Sequence, residues 1–181
     1  GGAWCRPCHE VLPAALPLIE ERFERVIVMP SSFEVSVDCV RQALRNTTAL
    51  VFARELVSYQ QIRDLCNADV AHDCAFFFDF RPYKRPGKGR LKAYRTDRGS
   101  ALMRVPSNNN DISVTCESMD EWLWTIARFD VVETDRAHVM IAAALLGKRV
   151  EYRPSSYHKV PAIAEFALRG YPVWKKAGGE Q

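Results

Sequence analysis

The strongest constraint on the fold is an alternation. Short β-branched or aromatic runs follow segments whose apolar positions repeat at helical spacing, and the pair recurs along the chain. Leu12, Leu16, Ile19 and Phe23 share one helical face and lead into Val26-Ile27-Val28-Met29. Val37, Val40 and Leu44 repeat the pattern with Arg41 and Arg45 opposite, and Ala49-Leu50-Val51-Phe52-Ala53 reads as the next buried strand. Ser58-Tyr59-Gln60-Gln61 has capping-box spacing, which predicts a helix over 59–66 with Asn67 as its stop. Ala75-Phe76-Phe77-Phe78 reads as a strand or its approach. Later come a strand over 91–95, an exposed polar loop around Ser107-Asn108-Asn109-Asn110, and a second capping box at Ser118-Met119-Asp120-Glu121. That box opens a helix with Met119, Trp122, Leu123 and Ile126 on one face. A strand over 131–134, an apolar helix over 137–146 stopped by Gly147, a strand over 149–153 and a helix over 161–168 complete the pattern. Strands separated by helix-length segments need crossover connections, whereas antiparallel neighbours need only a hairpin. The fold class expected is therefore α/β, with parallel sheet covered on both faces.

One stretch breaks the rhythm. Residues 81–90 hold two prolines, two glycines and five cations with no apolar period, which marks a linker. The expected organisation is a domain over 1–80, a linker over 81–90, a second domain over 91–170 and a tail over 171–181. A length of 181 residues suits two small domains, and 48% hydrophobic against 26% charged residues excludes disorder. The net charge of +3 is scattered, so nothing tracks nucleic acid. No apolar run reaches the ~18–20 residues of a membrane span, and the opening residues lack signal-peptide features, so a cytoplasmic protein with no transmembrane segment is expected. The oligomeric state is left open.

In parallel sheets ligands gather at the carboxyl ends of strands. Four such ends carry cations: Arg54 after the second strand, Arg95 within Tyr94-Arg95-Thr96-Asp97, Arg136 within Thr134-Asp135-Arg136-Ala137-His138, and Lys159 within Ser156-Tyr157-His158-Lys159. Arg136 and the first amides of the following helix can face one small anion, and His138, two residues on, can present an imidazole as acid or base. The competing reading pairs Arg136 with Asp135 or Glu133 at the surface. Trp4-Cys5-Arg6-Pro7-Cys8-His9 resembles a dithiol active site or a haem attachment motif, yet it has neither a preceding strand nor a second metal-ligand pair. Six cysteines without a regular framework suit reduced thiols, and no metal site is expected.

Taken in order, Val28-Met29-Pro30-Ser31-Ser32-Phe33, Val51-Phe52-Ala53-Arg54-Glu55 with Ser58-Tyr59, His72-Asp73-Cys74-Ala75-Phe76 and the three later motifs resemble the polysaccharide pyruvyl transferase family through nearly the whole chain. The resemblance implies two Rossmann-like domains arranged like a GT-B glycosyltransferase. It also implies a longer amino-terminal portion ahead of Gly1-Gly2-Ala3-Trp4, so the first domain is expected to be incomplete. The implied reaction moves the enolpyruvyl unit of phosphoenolpyruvate onto two sugar hydroxyls, giving a pyruvate ketal and phosphate. Exopolysaccharide or another cell-surface glycan, free or as a lipid-linked sugar, would be the acceptor. Arg54, Arg95, Arg136 and Lys159 would then bind phosphoenolpyruvate and His138 would be catalytic, with no cofactor. The alternatives are a thioredoxin-like dithiol oxidoreductase using Cys5 and Cys8, and an inactive glycan-binding remnant.

Overall fold

The computed structural model describes residues 4–5, 11–97, 100, 102, 104–155 and 157–176. It divides into two compact units, Gly1–Cys74 and Ala75–Gln181. Among the described residues each is α/β with one parallel sheet, consistent with a Rossmann-like fold.

The first unit runs α1 (Val11–Glu20), β1 (Ile27–Ser31), α2 (Asp38–Asn46), β2 (Leu50–Ala53), α3 (Leu56–Ile62) and β3 (Ala68–Val70). Its strands are parallel in the order β1-β2-β3, with Val28 opposite Val51 and Val51 opposite Ala68. Alternation along β1 sends Val28 inward against Leu16, Val40, Leu44 and Ile62, and leaves Ile27 and Met29 exposed. The expected capping box over 58–61 is displaced by one turn. Glu55 is the N-cap of α3, its carboxylate accepting from Ser58 N at 2.9 Å, and Ser58 occupies the third helical position. Ser58 is needed there because its hydroxyl accepts from Phe33 N at 2.8 Å, tying α3 to the end of β1. Asn67 does not end the helix, since Arg63 is the C-cap, and its carbonyl accepts from Val51 N beside β3, a strand the periodicity did not reveal.

The second unit runs β4 (Arg90–Ala93), α4 (Ile112–Thr115), α5 (Met119–Ala127), β5 (Val131–Thr134), α6 (Ala137–Leu145), β6 (Arg149–Tyr152), α7 (Lys159–Ala167) and β7 (Val173–Lys175). The order is β4-β5-β6-β7, all parallel. Leu91, Ala93, Val132, Val150 and Tyr152 point into one core with Leu123, Ile126, Met140, Ile141, Val160 and Ile163. At α5 the expected cap holds, because Ser118 Oγ accepts from Glu121 N at 3.1 Å. Met119 is exposed, so the buried face of α5 is Leu123, Ile126 and Ala127. Helix α6 is buried nearly all round, as its composition requires, and ends at Gly147, whose φ of +77° is the left-handed stop.

Three expectations change here. Ala75-Phe76-Phe77-Phe78 is no strand: a 3-10 turn spans Cys74–Phe77. The segment 81–90 lies inside the second unit and begins with a 3-10 turn, Arg81–Tyr83. Lys148, buried, holds it by donating to Arg85 O at 2.7 Å and Ala127 O at 2.8 Å, and burial pulls the Lys148 ammonium below its ordinary pKa. Gly87 is obligatory there, since a Cβ would stand 2.3 Å from the Phe129 backbone. The tail over 171–181 contributes β7, paired with β6.

The sheet of the second unit is not apolar on both sides. Strands in sequential order with right-handed crossovers carry their helices on one face. Apart from Val131, the residues alternating with the core set on β4, β5 and β6 are charged: Arg90, Lys92, Glu133, Arg149 and Glu151. Glu133, buried, accepts from Tyr94 OH at 2.8 Å, from Arg90 Nη1 at 2.7 Å and from Lys176. Arg90 also pairs with Glu151 at 2.9 Å. Burial alone would raise the Glu133 carboxyl, but the bonds from Lys176, Tyr94 and Arg90 hold it below the usual carboxylate range. Among the described residues no helix is long and apolar enough to cross a membrane.

Candidate active site

Sequence order in the second sheet has a direct consequence for chemistry. Because β5 lies between β4 and β6, the turns that leave their carboxyl ends are neighbours. They hold Arg95, Asp97, Asp135 and Arg136, and the helices they lead into begin with His138 in the first turn of α6 and Lys159 at the start of α7.

Thr134, the last residue of β5, sets the local geometry. Its hydroxyl donates to Ala93 O at 2.8 Å and accepts from Arg136 N at 3.0 Å, locking the β5–α6 turn to β4. Asp135 is fully buried, and its carboxylate accepts from Arg95 N at 2.8 Å and Ser100 Oγ at 3.0 Å. Burial pushes its pKa up, and those two hydrogen bonds only partly oppose the rise.

The guanidinium of Arg136 is gripped by Asp111. Nε donates to Oδ1 and Nη2 to Oδ2, each at 2.6 Å, a planar two-point pair. Asp111 itself is buried and also accepts from Thr96 N at 2.9 Å and Thr96 Oγ1 at 3.0 Å. Burial would raise the Asp111 carboxyl, yet the bonds from Arg136 and Thr96 hold it below its ordinary value. Burial would likewise lower Arg136, and its bonds to Asp111 keep it above, so the guanidinium is permanently charged.

Arg136 Nη2 also reaches Asp97 Oδ2 at 3.2 Å. Arg95 meets the same carboxylate with Nε at 2.9 Å and Nη2 at 3.1 Å. Two of the four expected cations are thus brought together, joined by Asp97. Arg136 pairs with Asp111 and Asp97, not with Asp135 or Glu133. His138 is the second residue of α6 and is exposed. Lys159 opens α7, is 9% exposed, and sets its ammonium 4.7 Å from the centre of the Tyr157 ring. Ser156 lies outside the described residues.

Arg54 belongs to the other unit. It is 1% exposed, donating from Nε to Ser32 Oγ at 2.9 Å and from Nη1 to Asp73 Oδ2 at 2.8 Å. Its guanidinium therefore joins the ends of β1, β2 and β3. Cys5 is fully buried, with its thiol donating to Ser32 O at 3.1 Å, and Cys8 lies outside the described residues. Among the described residues no three His, Cys, Asp or Glu side chains gather as a metal site.

Asp111 is the residue that sequence reasoning missed. It sits at the end of a polar loop that reads as solvated. The usable signal was Asn109-Asn110-Asp111 just before a short apolar helix. Asn109 pairs with both backbone groups of Tyr94, and Asn110 N donates to Lys92 O at 2.8 Å, so the loop runs beside β4 and delivers Asp111 to the strand end.

In a parallel α/β unit ligands settle at the carboxyl ends of the strands, and paired arginines at that edge are chemically suited to a small anion. The family model for polysaccharide pyruvyl transferases matches residues 13–150, and the chain belongs to that family. Among solved structures, the chain is similar to a functionally uncharacterized protein from Klebsiella pneumoniae, at 28% identity and a TM-score of 0.72. The match covers 95% of this chain and 69% of that one. No curated protein matches.

Proposed function

We propose that the chain is a pyruvyl transferase that takes phosphoenolpyruvate as donor and builds a ketal on two hydroxyls of a sugar acceptor, in exopolysaccharide or cell-surface glycan synthesis in the cytosol. The observation that carries this reading is the convergence of Arg95 and Arg136 on one carboxylate at the edge from which α6 presents His138. The donor carries two anionic groups, and two guanidinium groups backed by a buried acid offer a rigid, charge-assisted seat for one of them. Lys159 supplies a third cation from the adjacent turn.

The chemistry needs a proton on the methylene carbon of the enol phosphate, which builds oxocarbenium character at the neighbouring carbon. It then needs protons removed from the two attacking hydroxyls while phosphate departs. Histidine both gives and accepts protons near neutral pH, so His138 takes that role. Arg54 is already engaged at the edge of the first sheet, and the proposal gives it a structural part there. We further propose a GT-B-like arrangement in which the first domain is only partly represented. The exposed Ile27 and Met29 on its sheet, at 57% and 60%, favour that view because such a face is normally covered.

The test is to incubate the protein with phosphoenolpyruvate and candidate glycans and to follow phosphate release and ketal formation. Acceptor-dependent release that falls at least ~100-fold in His138→Ala supports the reading. Unchanged turnover in His138→Ala rejects the catalytic assignment, and donor binding without turnover on any acceptor favours a glycan-binding remnant.

A further inference from the structure

We propose that Asp97 is an internal stand-in for the carboxylate of the donor: it occupies the seat formed by Arg95 and Arg136, and the incoming carboxylate binds by displacing it. This deepens the transferase reading and rests on it for the identity of the donor.

Three features of the site carry the inference. The first is shape. Arg95 meets Asp97 with Nε on one oxygen at 2.9 Å and Nη2 on the other at 3.1 Å, while Arg136 adds Nη2 at 3.2 Å. A planar carboxylate therefore already fits the seat, whereas a tetrahedral phosphate presents its oxygens differently. The second is the contrast between the two acids. Asp111 is 3% exposed and bound at 2.6 Å through both oxygens of its carboxylate, so it is a fixed part of the wall. The Asp97 side chain is 47% exposed while the arginines it joins are 18% and 16% exposed, so it lies on the solvent side of both cations. The third is the pivot. Thr96, immediately before Asp97, is pinned by its backbone N and its hydroxyl to Asp111. Rotation about the Asp97 side chain can then clear the seat without moving β4.

Charge gives the displacement its logic. Arg95 and Arg136 are faced by Asp97 and Asp111 at their guanidiniums and by the buried Asp135 behind them, so the ligand-free seat carries no excess positive charge and the two guanidiniums are held in receiving geometry. When Asp97 turns into water, where its charge is well solvated, the guanidinium donors it occupied are uncovered for the ligand. A neutral residue at position 97 removes the competing charge, while Arg136 stays fixed by Asp111.

The experiment is calorimetric titration of the whole chain with phosphoenolpyruvate, with pyruvate and with inorganic phosphate, for the wild type, Asp97→Asn and Asp97→Glu. Expected is at least about fivefold tighter binding of phosphoenolpyruvate and of pyruvate by Asp97→Asn, the lower end of ordinary coupling between competing groups. Asp97→Glu, which keeps the competing charge, should bind close to the wild type, and inorganic phosphate should gain less than pyruvate. Equal or weaker binding of both carboxylates by Asp97→Asn overturns the proposal, as does the absence of binding by any of the three proteins. Tighter binding without turnover on any acceptor defeats the transferase reading and leaves the displacement standing.

Discussion

At the carboxyl edge of the first sheet, Arg54 is 1% exposed and reaches sideways to Ser32 and Asp73. At the same edge of the second sheet, Arg95 and Arg136 converge on Asp97, whose side chain is 47% exposed. Both edges place arginine after a strand, and the sequence around them reads alike. The difference is which partner lies between cation and water. A guanidinium enclosed with its acid has lost its hydration and is held by the full cost of separating the pair. One whose outer partner remains solvated can exchange that partner for a ligand at little cost. The first edge is built as a staple, and the second has the openness that the proposed seat requires.

The largest effect that can break this contrast belongs to the staple. Arg54→Met removes the guanidinium paired with the buried Asp73, and is expected to destabilise the chain by about 3–5 kcal/mol in urea unfolding. Adding Asp73→Leu to it should recover much of that loss, because both buried charges of the pair are then replaced by apolar groups. A stable Arg54→Met protein with lost donor affinity would reverse the assignment of the two edges.

Next comes acid. The Asp111 carboxyl in the folded chain lies below its ordinary value of 3.8. A depressed carboxyl stabilises the fold at pH above the unfolded value, and that contribution is lost as pH falls through the folded one. Thermal unfolding followed from pH 6 down to about pH 2 should therefore show Asp111→Asn with a shallower acid slope than the wild type. Identical slopes would mean that the Arg136–Asp111 pair does not fix the seat.

The smallest effect is a control on the same unit. Ser118→Ala removes the cap of α5 and should cost about 1 kcal/mol of stability while donor affinity is unchanged. A change in affinity there would show that the edge responds to any loosening of the unit.

How far the sequence could be read follows from the range of the forces involved. The alternation of periods located α2, β2, α5, β5, α6, β6 and α7, since each hides an apolar face that its own residues display. It located α1 as well, although Leu12, Ile19 and Phe23 of the face it displays are exposed and only Leu16 of that face is buried. Helix α6 was clear because seven of its residues are buried, leaving no second face to misread. Short strands at an edge carry too little pattern. Ala68–Val70 is three residues, and Val173–Lys175 became a strand only through the hydrogen bonds that β6 offers it. Ala75-Phe76-Phe77-Phe78 misled because aromatic content signals burial, while Phe77 is 86% exposed.

The site was legible to the same extent. Spacing placed Arg95, Arg136, His138 and Lys159 after their strands, because position after a strand is a local property. Which acid meets which cation is not local. Asp111 reaches Arg136 across 25 positions of sequence, through a loop whose course is set by Asn109 and Asn110 beside β4. Arg54 and Arg136 look equivalent until the burial of Asp73 and the exposure of Asp97 separate them.

The measurement closest to the central claim is the affinity of Arg95→Gln for phosphoenolpyruvate, since its partner Asp97 is half-exposed and the fold does not depend on the pair. Loss of one charge-assisted contact is worth about 1.5–3 kcal/mol, so the account predicts binding at least about tenfold weaker than in the wild type. Undiminished affinity in a folded Arg95→Gln protein would contradict it.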